Sequence, residues 1–146
     1  WNNSTFAGFS SAQPWLPVHP NYIWRNVTSQ QANPDSLFQF TKKLLVLRKE
    51  IPALYRGDFI PLETQRGVLA YLRRTEEQSV LVVLNFSRRN VRLNLPGGDL
   101  RMLLTSAKGS PGALAPFEIQ LFISPDRIFP PNRNTPSNER IRLSPR

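Results

Sequence analysis

The chain has 146 residues, of which 40% are hydrophobic and 10% aromatic, and this composition indicates a globular protein rather than a disordered one. It contains no cysteine, which excludes disulfides, thiolate metal sites and a cysteine nucleophile. The formal charge of +9 suggests that the protein binds nucleic acid. The basic residues are spread along the chain, however, and no basic motif interleaved with aromatic residues occurs. We therefore predict no specific nucleic-acid partner.

Membrane insertion is also not expected, because no apolar run approaches the roughly 20 residues of a membrane-spanning helix. The lack of cysteine fits a reducing compartment and equally fits a secreted enzyme without bridges. The compartment is left open, with the cytoplasm slightly favoured over secretion.

Residues 1–33 are predicted to be a loop that builds a functional surface. They are rich in Asn, Ser, Gln and Pro, yet they hold all three tryptophans of the chain, Trp1, Trp15 and Trp24. Loops longer than about 15 residues are uncommon unless they are functional. Large apolar side chains are also unexpected at a terminus, where chains usually fray. We therefore expect this stretch to pack against a preceding part of a longer protein.

A helix is predicted to follow, with Asn33 as the N-cap, Pro34 at the first helical position and Asp35 at the positive end of the dipole. Pro52 should end it. Its apolar residues form one stripe at helical spacing: Leu37, Phe38, Phe40, Leu44, Leu45, Leu47 and Ile51.

Arg48 projects close to the middle of this stripe. A buried arginine must find a carboxylate or carbonyl partner. We predict a structural ion pair there rather than a substrate-binding role.

From about residue 55 the apolar pattern changes to a period of 2, which predicts strands. Six segments show it: GDFIPLE, GVLAYLRR, SVLVVLNFS, VRLNL, LRMLLTS and FEIQLFI. Residues 80–84 are apolar throughout and predict a central strand buried on both faces. Pro61 is expected at an edge or a bulge. Several short strands at this spacing predict a β-sandwich or barrel.

The short connections at 76–78, 88–90 and 96–98 favour antiparallel neighbours. After Ser124 the chain becomes rich in proline and poor in apolar residues, which predicts a disordered tail.

We find no catalytic constellation in the sequence. A glycosidase needs two carboxylates flanking a bond, and a metal site needs clustered ligands, whereas the acidic residues here lie apart on predicted helix ends, turns and strand faces. Glu76 and Glu77 are adjacent, but in a polar turn. His19 is the only histidine and is predicted to form a loop hydrogen bond rather than act as a base. We predict no catalytic, metal-binding or cofactor-binding residue in this chain.

The loop and helix together resemble glycoside hydrolase family 13, the α-amylase superfamily, in its α-glucosidase and oligo-1,6-glucosidase branch. The resemblance rests on the order and spacing of several stretches: Trp1-Asn2-x-Ser4, Ala7-Gly8-Phe9, PWLPVHPNY, Asn33-Pro34-Asp35-Ser36-Leu37 and KLLVLRKEIPALYRGDF. The segments VLVVLNFS, VRLNLPG and APFEIQLF resemble the sandwich strands that follow in that family. The resemblance covers about residues 1–124.

This resemblance implies a mainly β chain with one major helix. Residues 1–52 would be the end of a catalytic (β/α)8 barrel, namely the loop after its last strand and its last helix. Residues 53–124 would be an antiparallel C-terminal β-sandwich, and 125–146 a disordered tail. The family's catalytic carboxylates match no position in this chain, so the chain alone is predicted to be inactive.

The implied parent is a retaining α-glucosidase that hydrolyses terminal α-glucosidic bonds of oligosaccharides, without a cofactor. Its substrate would be an α-linked gluco-oligosaccharide bound through the barrel. Residues 1–33 would form part of the active-site rim. There Trp15 and Tyr22 are expected to pack on the barrel rather than contact sugar.

Two positions depart from the family pattern: Asn2 replaces the usual Asp, and Phe6 replaces an Asn or small polar residue. They leave the substrate preference open. The reaction type, whether hydrolysis, transglycosylation or isomerisation, is open as well. One alternative is a non-catalytic relative such as an amino-acid-transporter heavy chain. Another is a self-standing carbohydrate-binding sandwich.

Overall fold

The computed structural model describes residues 1–97, 99–125 and 142–145. The chain divides into two compact units, Trp1–Leu47 and Arg48–Arg146. Among the described residues, no helix combines the length and the apolar character that a membrane crossing requires.

The first unit contains 3₁₀ turns at Thr5–Gly8 and Pro20–Ile23, followed by helix α1 at Val27–Ala32. The prediction of a loop through residue 33 is therefore wrong for α1. This helix forms because Asn26 and Ser29 make a capping box: the Asn26 side chain accepts from the Ser29 N–H, and the Ser29 hydroxyl accepts from the Asn26 N–H.

Helix α2 spans Leu37–Glu50 and begins three residues later than predicted. The Ser36 hydroxyl accepts the N–H of Gln39 at 3.2 Å, so Ser36 caps the helix. Asn33 instead closes a turn with its side chain, which accepts the N–H of Asp35 at 2.9 Å. Helix α2 ends at Glu50, just before Pro52, as predicted, and Pro52 then begins helix α3, Pro52–Arg56.

In the described part of the chain, the apolar stripe of α2 is half-buried or exposed, except at Ile51, which follows the helix and is buried. None of the helix residues is buried, and the side chains of Leu37 and Leu45 are 72% and 61% exposed. The predicted buried ion pair of Arg48 is wrong as well. Its side chain is exposed, and Nη1 donates to the Leu54 carbonyl at 3.4 Å. The long side chain thus reaches a backbone carbonyl rather than a carboxylate.

The second unit contains a five-stranded sheet in the order β1-β2-β3-β7-β5, in which every neighbouring pair is antiparallel. A second sheet has two strands, β4 and β6. The strands are β1 Asp58–Leu62, β2 Val68–Arg74, β3 Ser79–Asn85, β4 Val91–Arg92, β5 Arg101–Thr105, β6 Ala113–Leu114 and β7 Ile119–Ser124. The six predicted strands are confirmed, and β6 is an addition.

Strand β3 is central and buried at every position except Leu84, so the burial predicted for 80–84 is confirmed at 80–83 and wrong at Leu84, which is half-buried. Pro61 is exposed on the edge strand β1, as expected. The connection at 76–78 joins the antiparallel neighbours β2 and β3. The two later connections were wrongly predicted to join neighbours, because they carry the chain to β4 in the second sheet and back.

Apolar side chains from both sheets form one core, which makes this unit an antiparallel sandwich. The buried members are Leu62, Ala70, Leu72, Leu81, Val83, Val91, Leu93, Leu114, Phe122 and Leu143.

The last of these residues contradicts the prediction for the tail. Disorder was expected over 125–146, and residues 126–141 and 146 lie outside the described residues. Residues 142–145, however, dock on the sandwich: Leu143 is 1% exposed, and its N–H donates to the Glu63 carbonyl at 2.8 Å. A single leucine that fills the core outweighs the polar composition around it.

Candidate functional site

The first nine residues form a tightly wound loop. Three successive residues have left-handed backbone angles: φ is 56° at Phe6, 57° at Ala7 and 71° at Gly8. The Asn2 side chain stabilises this loop by accepting the Ser4 N–H at 2.9 Å and the Ser4 hydroxyl at 2.6 Å. Non-glycine residues in this region are strained, and such strain persists where surrounding structure enforces it, often at ligand sites.

Gly8 could not be replaced without moving this loop. A Cβ at Gly8 would lie 2.9 Å from Asn2 Oδ1, and the positive φ would strain any side chain. Asn2, the position that departs from the family pattern, is therefore the residue that organises the loop here.

Trp1 joins this loop to the segment before α1. Its indole Nε1 donates to the Arg25 carbonyl at 3.2 Å, and its ring lies 5.8 Å from the Phe9 ring. The Trp1 carbonyl accepts the Thr28 N–H at 3.3 Å. Asn26, 3% exposed, donates through Nδ2 to the Tyr22 carbonyl at 2.9 Å. These polar contacts hold the two segments side by side.

Between the segments lies an open groove of about 440 Å³. We call it the rim groove; it is lined by Trp1, Ala7, Phe9, Pro14, Leu16, Pro17, Val18, His19, Asn21, Tyr22 and Arg25. Its walls are mainly aromatic and aliphatic, with one guanidinium and one imidazole, and no carboxylate is among the lining residues of this described segment. Such a surface can bind the apolar face of a ring, but it offers no acid and nucleophile pair.

Of the two aromatic residues predicted for the rim, only one lines the rim groove. Tyr22 is half-buried and lines the rim groove, whereas Trp15 is 91% exposed and does not. His19 is the loop hydrogen-bonder that was predicted, since its Nδ1 accepts the Asn21 N–H at 3.2 Å. The strained turn and the Asn2 contacts were missed; the sequence signal was Asn2-x-Ser4 followed by Gly8.

A second polar cluster lies in the sandwich around Glu118, which is 1% exposed. Its carboxylate accepts the Thr105 hydroxyl at 2.6 Å, the Ala115 N–H at 2.6 Å and Gln120 Nε2 at 3.0 Å. Gln120, also buried, accepts the Gly112 N–H at 3.0 Å. The sequence placed Glu118 merely on a strand face, so its burial was missed.

Burial by itself raises the pKa of the Glu118 carboxyl, but the hydrogen bonds from Thr105, from Gln120 and from the backbone of Ala115 and Gly109 outweigh it. The pKa therefore lies below its ordinary value of 4.5, and the group is ionised at neutral pH. A Cβ at Gly109 would come within 2.7 Å of both carboxylate oxygens, so only glycine fits there. The cluster fixes the loop before β7.

Within residues 1–97, 99–125 and 142–145, no three His, Asp or Glu side chains are grouped so that they could hold a metal ion.

Two family descriptions match consecutive parts of the chain. Residues 1–57 match the α-amylase catalytic domain, and residues 58–121 match the C-terminal domain of maltogenic amylase. The chain therefore belongs to the α-amylase superfamily of glycoside hydrolases, family 13, and its fold resembles the C-terminal region of these enzymes.

Its relatives include α-1,6-glucosidases. The chain is 44% identical over 110 residues to the glucan 1,6-α-glucosidase of Streptococcus pneumoniae. The matched residues make up 74% of this chain and 21% of that protein. It is 37% identical over 97 residues to a probable oligo-1,6-glucosidase of Bacillus subtilis, covering 66% and 17%. The chain thus spans about a fifth of the length of these relatives.

Solved structures of similar fold belong to enzymes of different reaction types. The isomaltulose synthase of Klebsiella sp. LX3 has a TM-score of 0.75 and 29% identity, covering 84% of this chain and 24% of that one. The trehalose-6-phosphate hydrolase of Bacillus licheniformis has a TM-score of 0.74 and 28% identity, with the same coverage.

Proposed function

We propose that this chain is the C-terminal part of a retaining α-glucosidase that cleaves terminal α-glucosidic bonds of oligosaccharides. The similarity to α-1,6-glucosidases supports this activity, and favours α-1,6-linked gluco-oligosaccharides as substrates. Bond cleavage would proceed by double displacement through a covalent glycosyl-enzyme. Both carboxylates would come from barrel residues outside this chain.

We assign residues 1–52 to the end of the catalytic barrel, 53–124 to the supporting sandwich and 125–146 to the tail. The observation that carries this assignment is the uncovered apolar surface of the first unit. Trp15, Trp24 and Leu37 are 91%, 64% and 72% exposed, on the segment that matches a catalytic domain. Exposed apolar surface of this extent marks a contact area.

In this arrangement the rim groove contributes to the mouth of the active site. Its aromatic lining suits a sugar ring or a neighbouring barrel loop, and its Arg25 and His19 can donate hydrogen bonds to hydroxyl groups. No carboxylate lines the rim groove among the described residues, so the role we propose for the chain is to shape the rim and support the barrel.

A chimaera tests the proposal. Residues 1–146 replace the matching C-terminal part of the Streptococcus pneumoniae relative, and hydrolysis of isomalto-oligosaccharides is measured beside the isolated chain. We expect activity from the chimaera with retained anomeric configuration, read by NMR of the first product, and none from the chain alone.

Turnover by the isolated chain, abolished by changing one of its own carboxylates, would refute the assignment of catalysis to the missing barrel. A folded chimaera without activity would mean that residues 1–146 do not supply the rim and the support that a catalytic barrel of this family needs. Tyr22→Phe serves as the matched variant of the rim, because it keeps the ring and removes the hydroxyl.

A further inference from the structure

The two sheets of the sandwich are bridged at one side by residues 142–145, outside the segments that match known families. Arg142 forms a parallel bridge with Glu63, which directly follows the edge strand β1. Pro145 forms an antiparallel bridge with Leu93, which directly follows β4 in the other sheet. One short segment is thus paired with both sheets.

Two backbone–backbone hydrogen bonds and one from a side chain hold this segment. The Leu143 N–H donates to the Glu63 carbonyl at 2.8 Å. On the other side, the Asn94 N–H donates to the Ser144 carbonyl at 3.0 Å, and Asn94 Nδ2 donates to the Pro145 carbonyl at 3.1 Å. Addition of an extended segment to the margin of a sheet by main-chain bonds is a general mode of peptide recognition.

Between these bonds, the side chain of Leu143 enters the core. It is 1% exposed and belongs to the same apolar cluster as Leu62 and Leu93, whereas the flanking Arg142 and Ser144 are exposed. Main-chain bonds on both sides with one buried side chain between them define a groove with a specific pocket.

We propose that the seam between β1 and β4 is a binding groove for an extended peptide with a leucine anchor, and that residues 142–145 occupy it in cis. The tail is thereby a fastening element of the sandwich. This inference is independent of the proposed enzymatic function, since it concerns residues beyond both family matches.

The first test compares two variants of the full chain. Leu143→Ala empties the pocket, and we expect its Tm to fall by about 10 °C. Ser144→Ala is the matched control, because Ser144 is exposed and bonds through its backbone carbonyl; its Tm should change by less than about 2 °C. Equal Tm values for the two variants would overturn the proposal.

Amide exchange in the same variants locates the effect. The Asn94 N–H bonds to the tail, whereas the adjacent Leu93 N–H bonds to the Gly112 carbonyl at 2.9 Å within the second sheet. In Leu143→Ala we expect Asn94 to exchange much faster relative to Leu93 than in the unaltered chain. An unchanged ratio of the two rates would place the tail elsewhere and refute the groove.

The second test supplies the segment in trans. A chain ending at Pro125 is titrated with the synthetic peptide RIRLSPR, residues 140–146, and we expect a saturable rise in Tm, or peptide-dependent folding if the shortened chain does not fold alone. Replacing the peptide leucine by alanine should weaken binding about 30-fold or more. Equal effects of both peptides would overturn the leucine pocket.

Occupation by a second copy is the competing arrangement. A Tm of the full chain that rises with protein concentration, together with a dimer that Leu143→Ala dissociates, would overturn the assignment in cis. An oligomeric state that Leu143→Ala leaves unchanged supports it.

Discussion

The two compact units of this chain are stabilised by different interactions. In Trp1–Leu47, all of which is described, Ala7 is the only buried apolar residue, and the buried Asn26 and Ser36 serve as caps. The sandwich instead buries a cluster of ten apolar residues. Side-chain hydrogen bonds contribute about 1 kcal/mol each, whereas each large buried side chain contributes about 1.5–3 kcal/mol. We therefore expect the sandwich to be the more stable of the two units.

The largest expected effect is in the sandwich core. Leu81 is fully buried in β3, in register with Leu72 and Phe122, so Leu81→Ala should lower the free energy of unfolding by about 2–5 kcal/mol. The matched control is Leu84→Ala, at a half-buried position of the same strand. It should lower the free energy of unfolding by about 1 kcal/mol. Urea denaturation measures both. Equal losses would mean that Leu84 is as deeply buried as Leu81.

A smaller effect is expected at the polar cluster of the sandwich. In Glu118→Gln an NH2 group replaces one carboxylate oxygen and cannot accept the hydrogen bonds that this oxygen accepted, so stability should fall by about 1–3 kcal/mol at neutral pH. Glu77→Gln, an exposed change of the same type, should leave stability unchanged.

The pH dependence of stability gives a second measurement of this change. Because the folded pKa of Glu118 lies below the unfolded value, its stabilisation is present above about 4.5 and is lost as the pH falls through the folded pKa. Urea midpoints measured across that range should fall less steeply in Glu118→Gln than in the unaltered chain. Parallel profiles would contradict the role assigned to the carboxylate.

The cap of α1 should matter only within the first unit. Asn26→Ala removes the acceptor of the Ser29 N–H and the donor to Tyr22, which should cost about 0.5–2 kcal/mol of local stability. Amide exchange in α1 measures this loss, with the exposed Asn3→Ala as control. Faster exchange in β3 as well would show that the two units unfold together.

The smallest effect on stability is expected at Trp15. Its side chain is 91% exposed, so Trp15→Ala should change the free energy of unfolding by less than about 0.5 kcal/mol. The same change should reduce self-association of the isolated chain, measured by sedimentation, because it removes exposed apolar surface. A clear loss of stability would mean that Trp15 already packs within the chain.

The sequence by itself determined the features that depend on local pattern. The uninterrupted apolar run at 80–84 identified the central strand, and helical spacing located α2. Both patterns reflect the repeat of the backbone, which is a property of consecutive residues. The family could also be recognised from the sequence, because the order of its motifs is visible without knowledge of any contact.

Only the tertiary structure decided which polar and tail residues became part of the interior. Glu118 is buried where the Thr105 side chain and the Gly109 backbone, from preceding segments, meet the nearby Ala115 N–H and Gln120 side chain. Leu143 joins the core because the margins of two sheets meet there. Such burial depends on how separate segments of the chain meet, so neither a periodic pattern nor the polar composition of the tail could predict it.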